Sequence, residues 1–255
     1  MTAPTVEPGL LEIAVDLGRR AGQLTLQWFR DPALEIEMKG DGSPVTAADR
    51  AAEAFIREEL ARRCPGDAVV GEELDDTVGT TGRTWFIDPI DGTYAFTRGV
   101  PLYCSLLAMS DEHGPAIGVI TVPALAEQVA AGRGLGAHHN GSPCRVSSTD
   151  SLAGACVTTS AYTWWPNEAV ATLHRQGPMM QAWGDGYGFL LVASGRADAM
   201  IDFGLNPWDT APMHVIISEA GGTFTGTNGE SPPVTGNVIA SNGHLHDALV
   251  GVFAT

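Results

Sequence analysis

Trp85-Phe86-Ile87-Asp88-Pro89-Ile90-Asp91-Gly92-Thr93 opens as a run of large apolar residues, the pattern of a buried strand, and closes as a turn. The strand is predicted to break at Pro89, which has no N–H for a sheet ladder and keeps Asp88 out of helical geometry. Asp88 and Asp91 then share one tight turn. Two ionised carboxylates about 4 Å apart repel by roughly 4 kcal/mol at an effective dielectric of about 20. A chain that holds such a pair needs a proton or a metal ion to offset the repulsion. Gly92 and Thr93 are predicted to open a short helix over 92–97, whose free N–H groups and positive dipole end favour a phosphate. Metal ligands beside an anion cradle point to divalent-metal phosphate chemistry. The competing reading is an ordinary surface turn, because Asp, Pro and Gly are common turn residues. The rest of the chain decides.

A length of 255 residues allows one large domain or two tightly joined halves with a real core. The formal net charge of −16 argues against nucleic acid and anionic membranes as partners, since no basic patch exists to meet phosphate backbones. A small phosphorylated metabolite stays open as a partner, because bound cations can invert the local potential. Cys64, Cys104, Cys144 and Cys156 have no C-x-x-C spacing and read as free thiols in a reducing compartment. Neither a signal-peptide pattern nor an apolar run of membrane-spanning length is present, so the expectation is a cytoplasmic protein.

Outward from the opening stretch, residues 8–29 place Leu11, Ala14, Leu17, Ala21, Leu24 and Trp28 on one helical face. Residues 34–39 alternate strictly and predict a half-buried strand with Ile36 and Met38 on its inner side. Thr46 is the predicted N-cap of a helix running to about Arg63. Strands are expected at 68–71, 84–87, 104–109, 116–122 and 128–131, and Asn140-Gly141 signals a hairpin. Near Pro143 a second strand-helix pattern begins, so 1–142 reads as an N-terminal half and 143–255 as a C-terminal half. There, strands are expected at 155–159, 199–202, 222–225 and 238–240. Helices are expected at 167–176, 187–195, 210–220 and 244–253, the last capped by Asn242. A polar loop spans 225–236, and His138, His139, His244 and His246 read as solvated.

Further carboxylates stand at informative places. Asp49 lies in the first turn of the second helix, where dipole complementation alone would explain it. Glu72 and Glu73 follow a short strand, where ligands gather at the carboxyl ends of α/β sheets. Asp209 begins a helix after Trp208, and by itself reads as a cap.

Taken together, these segments resemble the inositol-monophosphatase family of lithium-sensitive, magnesium-dependent phosphatases. The matching residues are Lys39-Gly40-Asp41-Gly42-Ser43-Pro44-Val45-Thr46-Ala47-Ala48-Asp49, Gly71-Glu72-Glu73, the opening stretch, and Asn206-Pro207-Trp208-Asp209-Thr210-Ala211 with Glu219-Ala220-Gly221-Gly222. The resemblance covers almost the whole chain, and agreement of order, spacing and flanks outweighs each segment's plainer reading.

The resemblance implies an α/β (α+β) fold, a layered α-β-α-β-α sandwich of the inositol-monophosphatase/fructose-1,6-bisphosphatase type, and a homodimer. It implies Mg2+, two or three ions per site, held by Glu72, Asp88, Asp91, Asp209 and the Ile90 carbonyl. All of these are hard oxygen donors, as magnesium requires. Thr93 and Asp49 match the pair that, with Glu72, activates the attacking water. Gly92 and Thr93 amides match the phosphate cradle, with Lys39 as a supporting charge. The implied chemistry is hydrolysis without a covalent phosphoenzyme.

The leaving group is read in Trp183-Gly184-Asp185-Gly186-Tyr187, ahead of Leu191-Val192-Ala193-Ser194-Gly195. Where inositol monophosphatases carry small neutral residues, this chain has Asp185, which resembles the histidinol-phosphatase branch. A carboxylate there would pair with the ammonium or imidazole of histidinol phosphate. Asp202 is a second candidate for that purpose, and helix capping is the alternative for Asp185. Tyr94 departs from the Lys often found after D-G-T in histidinol phosphatases. An inositol-1-phosphate or broad sugar-phosphate phosphatase is the runner-up, and a non-catalytic metal-binding regulatory homologue is the third reading.

Overall fold

The computed structural model describes residues 3–230 and 235–253. Helix α1 (Pro8–Thr25), the small ribbon of β1 (Ile36–Met38) and β2 (Pro44–Thr46), and helix α2 (Ala47–Arg63) come first. A seven-stranded sheet follows, built in sequence order from β3 (Ala68–Gly71), β4 (Thr84–Asp91), β5 (Cys104–Asp111), β6 (Gly114–Val122), β7 (Glu127–Gly132), β8 (Gly136–His139) and β9 (Ser142–Pro143). Helix α3 (Thr93–Thr97) joins β4 to β5. The second sheet contains β10 (Cys156–Thr158), β11 (Met179–Gln181), β12 (Ala199–Leu205), β13 (Thr223–Gly226) and β14 (Gly236–Ser241), ordered β11-β10-β12-β14-β13. With it come α4 (Asn167–Gln176), α5 (Asp185–Ala193), α6 (Pro207–Glu219) and α7 (His246–Phe253).

Apolar faces dictate the layering. Trp85, Ile87, Leu107 and Met109 on one face of the large sheet meet Ala14, Leu17, Ala21, Ile56 and Leu60 of α1 and α2. On the opposite face, Leu106, Ile120 and Val129 pack with Phe189 and Leu190 of α5 and Met213 and Ile216 of α6. Met200, Val238 and Ala240 of the second sheet close the same core. Leu173 of α4 and Leu249 of α7 cover the far face of that sheet over Val157, Ile201 and Ile239. Each such buried aliphatic side chain contributes about 1.5–3 kcal/mol. The result is the expected α-β-α-β-α sandwich.

β4 corrects the expected break. The strand continues through Pro89 to Asp91, and its register against β5 passes from Asp88↔Leu106 to Asp91↔Cys104. Three steps on β4 thus match two on β5, which is a β-bulge with one extra residue. A bulge tolerates the N–H that Pro89 lacks. It also changes parity. Residues three apart on a regular strand face opposite ways, but here Asp88 and Asp91 oppose Leu106 and Cys104, both in the α5–α6 core. The bulge therefore puts both carboxylates on the same face.

Other expectations shift with their surroundings. Ile36 and Met38 are 48% and 63% exposed, because β1 pairs only with β2, and it is β2 that is buried against the body. Helix α1 stops at Thr25, and the following Phe29 joins Phe96 and Tyr103 in an aromatic cluster under Ile90. His246 is buried, not solvated: its ring bridges the Thr225 and Ser241 hydroxyls at 2.9 Å each. His139 is half-buried on Glu127 at 3.0 Å. Asn140 and Gly141 both adopt positive φ, as a tight hairpin requires. All four cysteines are free. Part of the expected 225–236 loop, residues 231–234, lies outside the described residues. No helix among the described residues is long and apolar enough to cross a membrane.

Contact between α6 and β6 depends on Gly118, where a Cβ would lie 2.3 Å from the Pro212 carbonyl oxygen. Backbone cannot yield there as a side-chain tip can. Gly118→Ala is expected to destabilise the fold by about 1–3 kcal/mol, lowering Tm by about 2–4 °C per kcal/mol. Calorimetry of the variant checks this, and an unchanged Tm would mean that α6 is free to shift.

Candidate active site

The β4 bulge points Asp88 and Asp91 at the N-terminus of α6, which supplies Asp209. One carboxylate oxygen from each of the three lies within 4.8 Å of the others. Asp88 is 2% exposed. Burial first, then the charges of Glu72, Asp91 and Asp209, hold its proton on well above the usual carboxylate range. Burial and then Asp185 and Asp209 do the same to Asp91. Asp209 is pushed up to about 6, chiefly by burial, with the Asn206 N–H opposing. The three groups form one repulsive, poorly hydrated knot.

Two helix starts aim carboxylates into this region by the same device. At α2, Asp49 Oδ2 accepts from the Thr46 N–H at 2.8 Å and the Thr46 hydroxyl at 2.7 Å, closing a capping box. Its other oxygen, Oδ1, is buried with no hydrogen-bond partner. At α6, Asp209 Oδ2 accepts from the Asn206 N–H at 2.7 Å, and Pro207 occupies the first helical turn. In each case capping fixes one oxygen; the other is unpartnered at Asp49, and Asp209 faces Asp88 and Asp91. Capping and a site role are therefore compatible.

Around Gly92 the chain turns sharply. Gly92 has φ 80°, the left-handed region, and caps α3. That helix is only five residues long, so its dipole is small. The Ile90 N–H donates to Asp88 Oδ1 at 3.0 Å, and the Thr93 hydroxyl donates to the Ile90 carbonyl at 2.9 Å. Lys39 Nζ sits 2.7 Å from Glu72 Oε1 and 2.5 Å from Glu73 Oε1. Burial opposes its charge, but the two carboxylates outweigh that and hold its proton on beyond the usual lysine range. Lys39 thus lies on the Glu72–Glu73 pair.

Asp185 stands beside the turn, close enough that a Cβ on Gly92 would be 2.7 Å from its Oδ2. It has φ 52°, a left-handed conformation uncommon outside glycine. Its N–H donates to Ser160 Oγ at 2.7 Å, and the next N–H, of Gly186, donates to Asp91 Oδ2. The N-cap of α5 is Gly184, and Asp185 stands in the first turn of that helix. Asp202 is 3% exposed and accepts the Ser160 hydroxyl at 2.5 Å. Burial pushes Asp202 up to about 7, against that hydrogen bond. Asp202 therefore reaches Asp185 through Ser160, and Ser160 itself carries no signal in the sequence. Glu53, fully buried one helical turn beyond Asp49, is also missed, although the spacing places both on one face.

Comparison with known proteins agrees with this arrangement. The profile of the inositol monophosphatase family matches residues 9–254. The chain belongs to the inositol monophosphatase family. It is 41% identical over 235 residues to a histidinol-phosphatase of Chlorobaculum parvum, covering 91% of each chain. A histidinol-phosphatase of Mycobacterium tuberculosis is 38% identical over 94% of this chain and 96% of its own. Among solved structures, the extragenic suppressor protein SuhB of Bartonella henselae superposes with a TM-score of 0.90 at 26% identity, covering 96% of this chain and 98% of its own. As a member of this metal-dependent phosphatase family, the protein is a phosphoric monoester hydrolase acting on small phosphorylated substrates.

Replacing Asp88 or Asp91 by Asn removes charge from the knot without changing its shape. Activity is expected to fall more than about 100-fold, beyond the loss typical of a change behind a metal ligand. In chelator, Tm should rise, since like-charge repulsion is relieved. Phosphate release and thermal melts check both arms, and near-normal turnover in either variant would refute the metal assignment.

Proposed function

We propose that this protein hydrolyses histidinol phosphate to histidinol and phosphate with Mg2+, two or three ions per site. The observation that carries the substrate is Asp185, a carboxylate held in a left-handed turn beside Gly92 and braced by Ser160 and Asp91. Strain of this kind persists where surrounding structure over-determines it, and it concentrates at ligand sites. A cationic amino-alcohol is the leaving group that such a carboxylate would recognise.

The donor set fits a hard divalent cation: carboxylates within 4.8 Å of one another and a buried Asp49 oxygen lacking a partner. Glu72, Asp88, Asp91, Asp209 and the Ile90 carbonyl would hold the ions. When bound, Mg2+ lowers the pKa of a coordinated water and offsets the charge of the phosphate. Asp49 Oδ1 accepts a proton from the attacking water. The Thr93 hydroxyl, whose proton is directed to Ile90, offers its oxygen to the same water. Amides of Gly92 and Thr93 orient the phosphoryl group, and Lys39 balances Glu72 and Glu73. Asp185 pairs with the ammonium or imidazole and so fixes the leaving group.

An inositol or sugar-phosphate phosphatase is the second reading, favoured by Tyr94. That side chain is 64% exposed and its hydroxyl donates to the Gly42 carbonyl at 3.3 Å, where a lysine would offer charge.

Asp185→Asn separates the two, and Asn tolerates the left-handed backbone as Asp does. A lost charge-assisted hydrogen bond costs about 1.5–3 kcal/mol, so kcat/KM for histidinol phosphate should fall about 10- to 150-fold. Turnover of inositol 1-phosphate should be unchanged or improved. Equal effects on both substrates would move the assignment to the second reading.

A further inference from the structure

Asp49, Glu53 and Arg57 recur at four-residue spacing on α2 and so share one face. Glu53 is fully buried. Its Oε2 accepts the Glu73 N–H at 2.9 Å, and its Oε1 accepts the Leu74 N–H at 3.3 Å and Arg57 Nε at 2.8 Å. Arg57 reaches further along the same segment, donating to the Leu74 carbonyl at 2.9 Å and the Thr77 hydroxyl at 3.3 Å. Burying an unpaired carboxylate is costly. The donors that satisfy this one are Arg57 and the two backbone amides that follow Glu72. Gly71 leaves it room, since a Cβ there would lie 2.0 Å from Glu53 Oε1. On its other side, the Glu72 N–H donates to the Ile87 carbonyl at 3.2 Å, which ties the segment to β4.

We infer that Glu53, backed by Arg57, is a positioning residue that clamps the 72–74 backbone and thereby sets Glu72 for metal binding. The inference rests on the assignment of Glu72 to the metal. Glu72 has one backbone attachment to the strand carrying Asp88 and Asp91, and its two successors are attached to the helix carrying Asp49. The clamp therefore fixes the relation between two elements that furnish the site. It acts on backbone amides, so it needs a charged acceptor of this length and no contact with the substrate.

Calorimetric titration with Mg2+ alone tests this on the full chain carrying Glu53→Gln, Arg57→Ala or Glu72→Gln. Glutamine keeps the size of Glu53 but turns a donor toward amides that also donate. Mg2+ affinity of Glu53→Gln should fall about 10- to 100-fold, the range seen when support behind a metal ligand is removed. Arg57→Ala should weaken Mg2+ in the same direction, and in both variants KM for substrate should hold near wild type. The rise in Tm on adding Mg2+ should shrink in both, whereas a merely structural role would lower Tm alike with and without the ion. Wild-type Mg2+ affinity in Glu53→Gln and Arg57→Ala, with weak binding by Glu72→Gln, overturns the clamp and spares the metal assignment. Wild-type affinity in Glu72→Gln overturns both. Should Glu53→Gln fail to fold, Arg57→Ala decides by the same criterion.

Discussion

Mutual repulsion among Asp88, Asp91 and Asp209 is the constraint on which the rest of the structure depends. Carboxylates whose oxygens approach within 4.8 Å, one buried and two half-buried, favour their protonated forms unless a cation is supplied. The fold holds them there with rigid parts. A single-residue bulge in β4 reverses the parity of Asp91 relative to Asp88, and α6 is seated against Gly118 at Pro212, three residues after Asp209. Removing the bulge would turn one carboxylate to the α1–α2 side, among Trp85 and Ile87, which would take the site apart and bury an unpaired charge in the core.

Support around this knot is arranged so that one group often serves two purposes. Asp49 and Asp209 each cap a helix with one oxygen; the second oxygen of Asp49 is buried without a partner, and Asp209 also belongs to the carboxylate cluster. Asp91 receives the Gly186 N–H, and Asp185, one residue earlier, leans over Gly92, so the turn proposed to read the substrate is attached to the carboxylate cluster itself. A change at Ser160 or Gly184 would be felt at Asp185 before it was felt in the sheet, since Ser160 Cα lies 2.0 Å from where a Cβ on Gly184 would stand.

Much of this was legible in the sequence because it is local. Helix 167–176 and strand 68–71 follow from apolar spacing and match the observed bounds. Thr46 and Asp49 are three apart, which is a capping box in sequence form. The parity of Asp88 and Asp91 was not legible, because a bulge is decided by pairing with β5, and Pro89 reads equally as a stop. Ile36 and Met38 alternate like an amphipathic strand, yet no layer covers them. Ser160 and Glu53 were missed for a common reason. Their partners, the Asp185 and Glu73 amides, lie 25 and 20 residues away, and a hydrogen bond between a side chain and a distant amide leaves no pattern in the chain.

Comparative turnover tests the central claim most directly: phosphate release from histidinol phosphate and from inositol 1-phosphate, each with Mg2+ and each with excess chelator. The account predicts a kcat/KM at least about tenfold higher for histidinol phosphate, the worth of one charge-assisted contact, and no release from either ester in chelator. An equal or inverted preference would contradict the role given to Asp185, and release undiminished by chelator would contradict the metal site itself.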